Sequence, residues 1–533
     1  MFKTLFFLIS TFFSFGLYAQ VTDWVSGGKL KPEQAVMDIR HYTLKLNVDP
    51  STKTISGSAE IDLMLTESTP ILLFDFVSFY KISEVTINGK KVPYSYESDF
   101  ITIKPATALP AGKVKVTVKY SGQPPVAKHA PWDGGFQWSK DSGGNDWIAI
   151  TCQSEGAKIY FPSKDHPSDE PNEGVDLFIT VPKGLVAAGP GLLQKTTHGK
   201  TTSTFHWKTN YTINTYSIVF NVGKYKAVTR PYKTIAGNTV PMIFYVLEEH
   251  ADKAPHHLEI LEKMTRVLEK YFGEYPWVKE KIGLAETPHL GMEHQTLNAY
   301  GNHFGYTKLG GEDFDWLMAH EFGHEWWANK VTGKNYSDMW IQEGICTFGD
   351  HLQIRDREGE EAYRAKMRAT GRATQNLKPV VPGKDANSVE VYHGDIYGKG
   401  AFFMHTIRYL IGDSIFFPTL RTLATSPDYT YDKMPDTDDV EKLFSTASGK
   451  NLKPVFDFFL RTVNKLEIGV KQVSDTRFSL RLLNYNGSLP VEVKTDKGII
   501  KSMVSKEGVI VESGVMPQID ITGYYIKKVI LEY

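Results

Sequence analysis

The sequence predicts a multidomain α+β fold: an N-terminal antiparallel β domain, a mainly helical middle domain and a small C-terminal β-sandwich-like domain. Three observations carry this. The chain has 533 residues, too many for one ordinary core. Apolar residues alternate with period two from about residue 38 to 225, and again after 466. Between about 252 and 465 they recur at helical spacing instead.

The elements follow in chain order. Lys3 precedes an apolar or hydroxylic run from Leu5 to Leu17, and Ala19 offers a small residue before Gln20. This reads as a signal peptide over 1–19, sending the mature protein to the periplasm or the exterior. The run is short for a span and no other stretch reaches that length, so no stable membrane insertion is expected after cleavage. Residues 20–232 form the first β domain. Tyr42, Leu44, Leu46 and Val48 make one apolar face, Ile61, Leu63 and Leu65 another, and Val114, Val116, Val118 and Tyr120 a third. Asn88-Gly89, between Val85-Ile87 and Val92, marks a hairpin.

Residues 233–465 form the helical domain. Leu258, Leu261, Met264, Leu268, Tyr271 and Phe272 share one helix face, and Gly273 is placed to end it. Further helical patterns cover 316–330, 343–355, 398–412 and 438–460. Residues 466–533 return to alternation at Phe478, Leu480 and Leu482, then at Leu489, Val491 and Val493, with Asn486-Gly487 as a second hairpin signal.

A formal net charge of −1 gives no electrostatic reason to expect nucleic acid as a partner. The two cysteines, Cys152 and Cys346, are too few to staple a chain of this size and read as buried small apolar residues.

The sharpest motif is His320-Glu321-Phe322-Gly323-His324. No proline interrupts the surrounding stretch, so a helix is expected, and residues four apart then project from one face toward one ion. Glu343 follows His324 after eighteen residues, within Trp340-Ile341-Gln342-Glu343-Gly344. Two nitrogens and a carboxylate oxygen make the three-ligand set of a catalytic zinc, with one position left for water. Asp350, two turns beyond Glu343 on the same face, is placed to support those ligands.

This pattern resembles the gluzincin metallo-aminopeptidases of peptidase family M1, which include alanyl aminopeptidases and the bifunctional leukotriene hydrolase-aminopeptidases. His324-Glu325-Trp326-Trp327-Ala328-Asn329 is similar to their H-Q-W-F-G-N continuation. The resemblance implies a thermolysin-like catalytic domain, one Zn2+ per chain on His320, His324 and Glu343, and Glu321 as general base. Leu290-Gly291-Met292-Glu293-His294 resembles the family's G-x-M-E-N segment. It implies that Gly291, Met292 and Glu293 bind substrate, with Glu293 on the free α-ammonium. Leu290 and His294 depart from that pattern, and a histidine at 294 is expected to alter the amine site or give it a pH dependence. Thr151-Cys152-Gln153-Ser154-Glu155-Gly156, running to Phe161-Pro162, resembles the segment that supplies a second clamp residue. The register selects Gln153, with Glu155 as the alternative. Tyr397, in Tyr397-Gly398-Lys399-Gly400-Ala401, resembles the tyrosine that donates to the oxyanion.

The implied function is removal of single residues from peptides with a free N-terminus. Alternatives are a thermolysin-like endopeptidase, which would lack the G-x-M-E segment; an aminopeptidase with added epoxide hydrolase activity; and an inactive peptide-binding scaffold. The long helical C-terminal domain of the leukotriene hydrolase branch is not expected in this chain.

Overall fold

The computed structural model describes residues 24–532, so the expected leader, 1–19, lies outside the described residues. Period-two segments become an eight-stranded sheet in which Met37–Asp49 sits between Thr54–Leu65 and Val175–Pro182. Its pairings are antiparallel except where Tyr42 to Asn47 run alongside Val175 to Thr180. Asn88 and Gly89 both take positive φ, 48° and 79°, the requirement of a tight hairpin that only such residues meet cheaply. A second sheet of four strands includes Asp146–Thr151, whose end delivers the chain to Gln153.

The catalytic region opens with a five-stranded sheet. Its spatial order is Tyr225–Lys233, Thr239–Leu247, Ile282–Glu286, Asn298–Tyr300 and Gly291–Met292. The first strand pairs along its length with the second, so the structural boundary falls ahead of Tyr225 rather than at 232. The short strands after Ile282 were not legible in a segment read as helical. They are buried on both faces and carry no alternation.

Ala254–Phe272 is the long amphipathic helix expected there, ended by Gly273 at φ 95°. The HExxH helix is shorter than expected and covers Trp316–Gly323. It starts on Asp315, whose side chain accepts from Met318 N, and that carboxylate also receives Tyr300 Oη at 2.8 Å. The sheet and the helix start are thereby tied together. The helix stops at His324 because the Trp327 carbonyl turns back to His324 Nδ1 at 2.7 Å, with Ala328 at φ 141°. The Glu343 helix spans Trp340–Glu358 and the Tyr397 helix Asp395–Ile411.

These last two helices cross at glycines. A Cβ on Gly344 would lie 2.8 Å from Gly400 Cα and 2.9 Å from the Ile396 carbonyl. Alanine in a helix ordinarily gains about 0.8–1 kcal/mol over glycine, but overpacking against backbone costs about 1–3 kcal/mol. Gly344→Ala is therefore expected to destabilise the protein and lower its metal content, since Glu343 is the adjacent residue. A thermal midpoint at or above the parent's would overturn this.

The C-terminal region is a sandwich of a four-stranded and a three-stranded sheet. Asn486-Gly487 is not a hairpin turn: Arg477–Leu482 and Leu489–Thr495 lie in different sheets, and the dipeptide bridges them. The sandwich docks on the Tyr397 helix, where Tyr524 stacks on Tyr409 with ring centroids 3.7 Å apart.

Candidate metal and amine site

His320 and His324 present their Nε2 atoms to each other at 3.2 Å. Glu343 Oε2 stands 3.5 Å from the first and 3.4 Å from the second. The far side of each ring is fixed. His320 Nδ1 donates to Asp350 Oδ2 at 2.9 Å, and His324 Nδ1 to the Trp327 carbonyl at 2.7 Å. Both acceptors lack a proton of their own, so each Nδ1 carries the hydrogen and each Nε2 lone pair faces the other. Two lone pairs and a buried carboxylate oxygen without a hydrogen-bond partner converge on one point. That donor set fits a divalent cation with nitrogen and oxygen preference. Asp350 thus takes the supporting position its spacing suggested.

Glu321 lies on the same helix and faces Gly291, where a Cβ would come 2.7 Å from Glu321 Oε1. Glycine at 291 lets the sheet edge pass directly over this carboxylate. Burial pushes Glu321 up to about 8; the two imidazoles pull it down, and the Glu293 and Glu343 charges push it up. A cation at the histidines would pull it back toward the range of a base.

Glu293 is 4% exposed, and burial raises its pKa. Its Oε1 receives Gln153 Nε2 at 2.6 Å and Tyr216 Oη at 2.9 Å. Both donors occupy one oxygen, which orients the carboxylate and leaves Oε2 for a cationic partner. Gln153 makes this contact; Glu155, the alternative register, is aimed at Gly134 instead. Tyr216 was missed from the sequence, where nothing local distinguishes it from a core tyrosine. Two acceptor-bearing side chains that follow the HExxH motif anchor the Glu293 segment. Asn329 Nδ2 donates to the Glu293 carbonyl at 2.8 Å, and Glu325 accepts from Thr296 N at 3.0 Å and Asn298 Nδ2 at 2.7 Å. The departure at His294 does not produce the expected pH dependence. The ring is fully buried, and burial together with His289 holds it well below the ordinary histidine value, so it stays neutral.

Tyr397 stands with its ring 5.9 Å from the His320 ring. Its hydroxyl is hydrogen-bonded to that of Tyr392. Burial, reinforced by the Glu343 charge, raises the Tyr397 pKa well above the ordinary value, so the phenol keeps its proton to donate. Met292 is 6% exposed beside Gly291 in the same short strand. The nine residues singled out from the sequence therefore meet around one centre, drawn from both the first β domain and the helical region.

Behind the clamp lies a cavity of about 40 Å3, lined in part by Gln153, Tyr216, Gln342 and Glu170. Burial pushes the Glu170 carboxyl from 4.5 up to about 8. A raised folded-state pKa means the stability this group contributes is present below its unfolded value and lost as pH rises through the folded one. Glu170→Gln, which stays neutral, should therefore gain on the parent progressively from about pH 4.5 to about pH 8. Thermal midpoints at several pH values read this, and a gap independent of pH would overturn it.

The family model "Peptidase M1 N-terminal domain" matches residues 39–217 and "Peptidase family M1 domain" matches 256–459. Tricorn protease-interacting factor F2 of Thermoplasma acidophilum is 24% identical over 83% of this chain and 57% of its own length. Leucyl aminopeptidase of Saccharolobus solfataricus is 22% identical over 89% of this chain and 60% of its own. The chain thus spans well under two thirds of these relatives. An M1 zinc metallopeptidase from Deinococcus radiodurans superposes with a TM-score of 0.70 at 22% identity, covering 82% of this chain and 96% of that one. The same metallopeptidase is known with a Tyr-Ser-Ala substrate bound to a mutant form.

Proposed function

The chain belongs to peptidase family M1, and on that premise we propose that it is an exported zinc aminopeptidase acting on peptides with a free N-terminus. The observation that carries the reading is Glu293, held by Gln153 and Tyr216 with one oxygen free, beside the His320, His324 and Glu343 donor set. A carboxylate in a low-dielectric cleft favours a cation, so a peptide's α-ammonium is selected over an acylated end.

His320, His324 and Glu343 would hold one zinc per chain. When bound, zinc polarises water and the scissile carbonyl as a Lewis acid. The chain's own groups do the rest. Glu321 takes the proton of the attacking water and passes it to the leaving amine. Tyr397 donates its hydroxyl hydrogen to the oxyanion as it develops. Glu293 and Gln153 fix the first residue, so only the first peptide bond reaches the reacting groups. The call for export rests on the leader read over 1–19.

A panel of aminoacyl fluorogenic substrates tests the reading, run with and without chelator and with elemental analysis of the purified protein. About one zinc per chain and chelator-sensitive release of the first residue are expected. Absence of zinc, with no activity regained on adding it, would sink the proposal.

A further inference from the structure

Glu343 and Cys346 are three residues apart on one helix, so they share a face. That face looks at the HExxH helix. Cys346 is 1% exposed and forms no disulfide. Its sulfur does not behave as the small apolar filler expected from the sequence. Sγ donates to the His320 carbonyl at 3.1 Å, and together with a ring nitrogen of His320 and one of His324 it forms a set of donor atoms all within 4.8 Å of one another. The facing helix makes room for it. A Cβ on Gly323, the residue between the two imidazoles on that face, would meet Sγ at 2.8 Å. The glycine in the motif thus seats a sulfur against both histidines. An alanine at 346 would bury apolar surface equally well and present no donor.

We propose that Cys346 is part of the metal centre, with its sulfur in contact with the ion that His320, His324 and Glu343 hold. This rests on the zinc reading above and adds to it. Three nitrogen and oxygen ligands, a sulfur and one open position make five-coordination, which zinc reaches. A thiolate softens the donor set and biases it toward zinc over harder divalent ions. On loading, the thiol proton now given to the His320 carbonyl leaves to solvent, so binding releases one proton more than the three other ligands account for.

Cobalt substitution of the full chain reads the contact without any activity measurement. The apo protein is loaded with Co2+, and its near-ultraviolet spectrum is compared with those of Cys346→Ala and Cys346→Ser. A sulfur-to-cobalt charge-transfer absorption is expected in the parent and absent from both variants. Zinc affinity, measured by competition with a chromophoric chelator, is expected to fall about 10- to 100-fold in the variants. Circular dichroism of the apo forms reports whether each variant folds. A parent spectrum without the sulfur absorption overturns the inference whatever the variants do, and leaves the zinc reading standing. A parent that binds neither cobalt nor zinc overturns both.

Discussion

Glu321→Gln is expected to keep its metal and lose turnover by about 10²- to 10⁴-fold, the usual contribution of a positioned general base. The amide has nearly the same shape, so the helix Trp316–Gly323 and the histidines on it are undisturbed. It cannot accept a proton, which is the one property the step needs. The loss should appear in kcat with little change in KM, because Glu321 contributes to the transition state rather than to binding. Glu343→Ala is the contrasting case. It deletes a buried carboxylate that stands 3.4 Å from His324 Nε2, so metal content and activity fall together. Metal analysis alongside kinetics separates the two. A Glu321→Gln protein with parental kcat would remove this residue from the chemistry.

Cleavage of a free-amine peptide over its N-acetylated twin is expected to be favoured at least ten- to a hundred-fold. A charge-assisted hydrogen bond in a buried site is worth about 1.5–3 kcal/mol, and acetylation removes the charge while adding bulk where the chain should end. Glu293→Ala should erase most of that preference and depress kcat/KM with zinc unchanged, since Glu293 is not among the metal donors. Tyr216→Phe and Gln153→Ala should have milder effects, because each leaves one donor on Oε1 and neither removes a charge. Equal cleavage of both peptides at internal bonds would make the enzyme an endopeptidase and overturn the amine-clamp reading.

What the sequence could show was local. Alternation and its change of period placed the β and helical regions, because side-chain direction within a strand or helix depends only on residue spacing. The same rule put His320 and His324 on one face and Asp350 in line with Glu343. It failed where the signal is not periodic, in the short buried strands around Gly291–Met292 and at the end of the HExxH helix, where one carbonyl turns toward His324. The Gly323–Cys346 fit could have been suspected from the three-residue step between Glu343 and Cys346, but not which atoms the sulfur meets.

By itself the sequence determined the inventory of the centre and the spacing of its metal donors along each helix. Only the tertiary structure decided that Gln153 and Tyr216, from a different domain, converge on a single oxygen of Glu293, 140 and 77 residues away. It also decided that Gly344 and Gly400 bring the Glu343 and Tyr397 helices close enough to share one site. The reason is physical: hydrogen bonds within an element follow from neighbouring residues, whereas contacts between elements follow from how whole buried surfaces fit, which no local pattern encodes.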